Sequence, residues 1–165
     1  MSDRVPVLVL GLGNVLCGDD GAGVAAIRAL LDAYLVPEGV QVLDGGTLGL
    51  ALLPWVRDAA AVVLVDAIAA DGPPGTLVRL EGDEVGHAAV RRLSVHQIGV
   101  ADLLDGNRLL GGPDKVVLVG VVPESMELTV ELTPTVRDAV PALVDRVAAE
   151  VGALGYPLER RTAGG

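Results

Sequence analysis

Three short runs of this chain are apolar almost without interruption and rich in β-branched residues: Val5–Leu10, Ala61–Val65 and Val116–Val122. A strand with one wet face alternates polar and apolar residues. A run without alternation predicts a strand covered on both faces, as in a parallel sheet lying between helices. Each run is followed at once by turn-forming or polar residues: Gly11-Leu12-Gly13-Asn14, Asp66, and Pro123-Glu124-Ser125. After the first, the apolar positions Val24, Ile27, Leu30, Leu31, Tyr34 and Leu35 recur at helical spacing. Val40–Leu43 reads as a further strand stopped by Asp44-Gly45-Gly46, and Thr47 is placed to cap a helix over Leu48–Val56. This β-α-β-α-β succession predicts an α/β domain.

The pattern then changes. Only nine residues, Ala67–Gly75, precede the next strand-like run, Thr76–Glu81. A parallel crossover needs at least about 10–12 residues, so this strand is expected to run antiparallel near an edge and make the sheet mixed. A short helix is expected around Ile98–Leu104. A last helix over Thr135–Val151 places Val136, Val140, Val144, Val147 and Val151 on one face, with Pro141 inside it as a kink. The 165 residues fit one domain over 1–157, followed by a loose tail, 158–165.

Charge narrows the partners. Twelve Lys and Arg stand against 22 Asp and Glu, a net charge of −10. Nucleic acids and anionic membrane surfaces select for basic patches, so neither is an expected partner. A basic peptide, a cation or another protein is permitted. The single cysteine, Cys17, excludes an internal disulfide and a cysteine-cluster metal site. Apolar runs such as Leu48–Val56 and Ala59–Val65 fall short of the roughly 18 residues of a membrane span. The sequence reads as a cytoplasmic protein, and its acidic surface favours a monomer.

In open α/β sheets ligands gather beyond the carboxyl ends of the strands. Carboxylates follow four of the expected strands there: Asp19 and Asp20, Asp44, Asp66 and Glu124. The Gly11-Leu12-Gly13 turn is not a dinucleotide fingerprint, because Leu16 occupies the third glycine position. Asp19 and Asp20 would also repel a pyrophosphate. One of this pair is expected to cap the following helix, which leaves the other free for a cation. An Asx-turn is the bland alternative for Asp66. His96 gains meaning only if it meets Asp20 and Asp66, since two carboxylates and an imidazole suit a divalent cation with open positions. His87 reads as surface and Cys17 as a small buried apolar residue.

Taken together, several blocks give a resemblance. Gly13-Asn14 with Gly18-Asp19-Asp20-Gly21-Ala22-Gly23, Leu43-Asp44-Gly45-Gly46-Thr47, Val65-Asp66-Ala67, Ser94-Val95-His96-Gln97, Gly120-Val121-Val122-Pro123-Glu124-Ser125 and Leu132-Thr133-Pro134-Thr135-Val136 resemble the nickel-iron hydrogenase maturation endopeptidases, in order, over about residues 6–150. The resemblance implies a three-layer α/β/α sandwich around a five-stranded mixed sheet with one antiparallel strand. It implies an endopeptidase that removes the C-terminal extension of the hydrogenase large-subunit precursor after nickel insertion. The metal-contacting and catalytic trio it implies is Asp20, Asp66 and His96, and the choice of Asp20 over Asp19 rests on the resemblance alone. Nickel is expected to arrive with the precursor rather than to reside in the protein. Asp44 and Glu124 are weaker candidates, as orienting groups. The alternatives are a non-catalytic nickel-sensing maturation factor for the same precursor, or a small metal-dependent hydrolase.

Overall fold

A computed structural model describes residues 4–90 and 95–162, with the backbone alone at 87–90 and 95–99. Along the chain run β1 (Val5–Leu12), α1 (Ala22–Ala33), β2 (Tyr34–Leu35), β3 (Val40–Gly46) and α2 (Leu53–Arg57). There follow β4 (Ala59–Ala67), β5 (Leu77–Glu81), α3 (Asp83–Val90), α4 (Val95–Leu109), β6 (Lys115–Val121), α5 (Pro134–Ala153) and β7 (Glu159–Arg160). The three apolar runs became β1, β4 and β6, the inner strands of a five-stranded sheet of order β3-β1-β4-β6-β5. β3, β1, β4 and β6 are parallel, and β5 pairs antiparallel with β6 at the edge. The short connection before β5 therefore had the expected consequence.

Side chains on a strand alternate between faces, and here valines dominate one face while the leucines share the other with Val62 and Val116. Val7, Val9, Val63, Val65, Val117, Val119 and Val121 pack under α1 and α5 with Ile27, Leu30, Leu143 and Val147. Leu8, Leu10, Leu12, Leu64 and Leu118 face the other way, against Leu52, Val56, Val85, Val100, Leu103 and Leu104 of the remaining helical segments. Both faces are thus dry, which is why the strand runs lack alternation. Each such fully buried side chain contributes roughly 1.5–3 kcal/mol relative to exposure.

The first helix approaches the sheet closely through Gly23. A Cβ there would overlap the backbone carbonyl oxygens of Val65 and Leu12 and lie 2.8 Å from the Val65 carbonyl carbon. Backbone cannot rotate out of the way, so Gly23→Ala is expected to destabilise the domain by about 1–3 kcal/mol or more. A lower urea midpoint at unchanged slope checks this.

Four details depart from the sequence reading. The segment after Thr47 begins as a one-turn 3-10 helix, Gly49–Leu52, whose cap position is Leu48 with no side-chain cap, so Thr47 does not start a helix at Leu48. The polar stretch before His96 contains the unforeseen helix α3, buried through Val85, and His87 lies on it. The helix around Ile98–Leu104 extends over Val95–Leu109, with Val100, Leu103 and Leu104 on its buried face and Leu109 exposed at its end.

The tail expected to be loose over 158–165 is instead docked at Glu159–Arg161. Glu159–Arg160 pairs with Tyr34–Leu35, and Arg161 N donates to Ala33 O at 2.9 Å. The Arg160 guanidinium lies 4.9 Å from the Tyr34 ring centroid and donates to Asp145 Oδ1 at 2.7 Å. The Tyr34 hydroxyl donates to the same oxygen at 2.9 Å. Burial, followed by that carboxylate, pushes the Tyr34 pKa up. The last helix, by contrast, matches its apolar pattern, with Thr133 as N-cap and Pro141 inside it.

Candidate active site

The chain leaves β1 for β3 on one side and reaches β4 on the other, so strand order reverses between β1 and β4. Peptide segments leaving the carboxyl ends of these two strands diverge and open a crevice, the usual ligand position in such sheets. Asp66 lies near the end of β4, and the loop carrying Gly13 to Asp20 follows β1. Both expected carboxylates therefore sit at the switch point, and both are buried, at 6% and 3% exposure for Asp20 and Asp66.

Gly13 and Asn14 bring them together. Gly13 has φ +129°, a conformation open to glycine, and a Cβ there would collide with the Asp20 carbonyl oxygen and lie 3.5 Å from Asp66 Oδ1. Asn14 N donates to Asp20 Oδ2 at 2.9 Å, and Ala67 N donates to Asp66 Oδ1 at 2.8 Å. The Asp20 Oδ1 atom is buried and has no hydrogen-bond partner among the described residues. A carboxylate oxygen in that position normally finds a donor or a cation, because leaving it unsatisfied costs on the order of 1–3 kcal/mol. Carboxylate oxygens of this kind can hold a divalent cation.

His96 lies in the first turn of α4, and its side chain is outside the described residues. Ser94, of the same sequence block, is outside them altogether. Among the described residues no three His, Cys, Asp or Glu side chains form a cation site.

Asp19 does something the sequence reading missed. Neither Asp19 nor Asp20 caps a helix: both lie inside a one-turn 3-10 helix, Gly18–Gly21, and neither its cap position nor that of α1 carries a side-chain bond. Asp19 is fully buried and accepts from Glu124 N (2.9 Å), Ser125 N (3.1 Å), Thr133 N (2.8 Å) and the Thr133 hydroxyl (2.8 Å). Burial alone would raise its pKa, but these donors outweigh it and hold the carboxyl below its ordinary value. The Thr133 hydroxyl also accepts from Val136 N at 3.5 Å, so one oxygen ties Asp19 to the start of α5. Three of the sequence blocks, around residues 18–23, 120–125 and 132–136, thus meet on a single carboxylate. Their separate presence in the sequence was the available signal, and only the fold shows that they touch.

The weaker candidates have local roles. Asp44 Oδ1 accepts from Gly46 N at 3.1 Å, and its other oxygen lies 3.8 Å from Arg28 on the exposed surface. Glu124 contributes its backbone N–H to Asp19 while the residue is exposed. Cys17 is a half-buried free thiol whose backbone bridges to Thr129.

Comparison with known proteins decides what this arrangement belongs to. The family described as HycI, hydrogenase maturation protease, matches residues 24–150. The chain belongs to the hydrogenase maturation protease family. It is a peptidase by that membership. The hydrogenase 2 maturation protease of Escherichia coli is 41% identical over 158 residues, which cover 93% of this chain and 96% of that protein. The solved structure of the hydrogenase maturating endopeptidase HybD from E. coli superposes with a TM-score of 0.90 at 38% identity, covering 94% of this chain and 98% of that one. The NiFe hydrogenase maturation protease HybD from Thermococcus kodakarensis gives a TM-score of 0.70 at 30% identity over 88% and 98% of the two chains. This maturation protease thus shares the mixed five-stranded α/β fold of solved relatives. The family match begins at residue 24, after the segment Gly13–Gly21 and the first two residues of α1, so the support for that segment comes from the relatives matched over nearly their whole length.

Proposed function

We propose that this maturation protease removes the C-terminal extension of a nickel-iron hydrogenase large-subunit precursor once nickel is inserted, with Asp20, Asp66 and His96 meeting the metal that the precursor carries. The observation that carries the reading is the buried Asp20 Oδ1, without a hydrogen-bond partner among the described residues, on the loop at the switch point where Asp66 is also buried. Such an oxygen is stabilised when a cation reaches it, which makes the site selective for a metal-loaded substrate. The nickel, as part of the substrate, then fixes the scissile peptide over the crevice. Water attacks the carbonyl while a site carboxylate accepts its proton and returns it to the leaving amine as the C–N bond breaks; positioning of this kind lowers the barrier through proximity and general acid–base action. No helix among the described residues is long and apolar enough to cross a membrane, in keeping with action in the cytoplasm, and the net charge of −10 favours a monomer that binds its precursor transiently.

Intact-mass spectrometry of the cognate precursor, nickel-loaded and nickel-free, tests the reading. Loss of a C-terminal peptide from the loaded form alone is the expected result. Stable binding with no mass loss would move the protein to a maturation-factor role, and equal cutting of both forms would remove nickel from the account.

A further inference from the structure

The carboxyl edge of the sheet carries apolar surface that the chemistry above does not use. On the loop after β1, Val15 and Leu16 are 37% and 54% exposed, and after β6 Met126, Leu128 and Val130 are 44%, 86% and 75% exposed. A single exposed leucine means little. These five, however, lie on two segments bonded side by side. Thr129 N donates to Leu16 O at 2.9 Å, Gly18 N to Thr129 O at 2.9 Å, and Asp19 N to Ser125 O at 3.0 Å. The Asp19 carboxylate pins both ends of the second segment, at Glu124 with Ser125 and at Thr133. The result is a held apolar platform beside Asp20, of the kind that marks a protein contact. Glu124, Glu127 and Glu131 are exposed on the same segment, and none forms an ion pair among the described residues.

We propose that this platform, formed by Val15, Leu16, Met126, Leu128 and Val130, seats the precursor through a stretch of polypeptide with apolar anchors flanked by Lys or Arg. The inference rests on the proposed function and adds the chemistry of the docking partner. Two observations select that occupant. The platform is built on the loop that presents Asp20, so a chain bound there is continuous with the candidate site. Its free carboxylates and the net charge of −10 favour a basic flank and oppose a second copy of this chain, which would set one acidic rim against another.

The test measures binding of the purified nickel-loaded precursor and, in parallel, kcat and KM for its cutting. The proteins compared are wild type, L128S/V130S, L16S, E127K/E131K and L109S. Leu109 is as exposed as Leu128, at 86%, but lies at the end of α4 near the start of β6, on the opposite edge of the sheet. L128S/V130S is expected to weaken binding and raise KM by about tenfold or more with kcat within about twofold, because apolar anchors of an interface act at that scale. L16S shifts both in the same direction from the neighbouring loop, E127K/E131K weakens binding most at low salt, and L109S matches wild type. Since every substituted side chain is exposed, unchanged melting temperatures are expected, and L16S carries the test if the double variant proves unstable. Wild-type binding by both L128S/V130S and L16S overturns the platform while leaving the proposed cutting intact. Binding that depends on Leu128 and Leu16 without any cutting overturns the proposed cutting and leaves the platform standing.

Discussion

Asp66→Asn is expected to leave the fold intact and to reduce cutting of a nickel-loaded precursor by about a thousandfold or more. Asn retains the shape and an oxygen that can accept from Ala67 N, as Asp66 Oδ1 does at 2.8 Å. What it loses is the negative charge beside Asp20 and the ability to take a proton from water, and loss of a general base typically costs about 10²–10⁴ in rate. Asp20→Asn should act in the same direction through a different step. If the remaining oxygen keeps the bond from Asn14 N, the amide nitrogen stands where Asp20 Oδ1 was and offers no lone pair to the cation proposed to arrive with the precursor. Rates of peptide release by intact mass, alongside melting temperatures, check both. A variant at Asp66 that cuts at the wild-type rate removes that residue from the site.

The second large effect belongs to Asp19, which touches no substrate in this reading. Asp19→Ala leaves the N–H groups of Glu124, Ser125 and Thr133 and the Thr133 hydroxyl without their acceptor. Removing one partner of such a charged, buried cluster typically costs about 3–5 kcal/mol, against a total of only about 5–15 kcal/mol for a domain. A large drop in urea midpoint is the expected readout. Cutting should fall as well, because the same carboxylate holds the loop on which Asp20 and Leu16 lie. The pH dependence follows from the lowered pKa of Asp19. In the unfolded chain the carboxyl takes up its proton at a higher pH than in the native one. The contribution is therefore complete above the ordinary carboxylate value of about 4 and is lost as pH falls through the lower native pKa. Asp19→Asn should flatten that acid limb. An unchanged acid limb would show that Asp19 is not the group responsible.

The sheet was readable from the chain because its cause is local. An unalternating run of Val and Leu has no wet face to offer, so β1, β4 and β6 could be placed within two residues of their observed ends. The antiparallel edge strand was equally legible, since nine residues cannot carry a parallel crossover. Helix α3 was not: among its described side chains Val85 alone is buried, and Gly86 follows it directly. The docked tail was missed for a related reason: Arg160 and Glu159 look solvent-bound, and only Tyr34 and Asp145, far away in sequence, give them partners.

At the site the division is sharper. Sequence order alone put Asp66 and the Asp19-Asp20 pair after two buried strands, and so at the carboxyl edge of a parallel sheet. What tells the two aspartates apart is contact between residues more than a hundred positions apart. Asp19 turns inward to donors at 124, 125 and 133, while Asp20 Oδ1 has no hydrogen-bond partner among the described residues. Adjacent residues of identical chemistry cannot be told apart by pattern. Their surroundings diverge because the 3-10 turn sets one carboxylate among the N–H groups of residues 124, 125 and 133 and the other against Asn14 N.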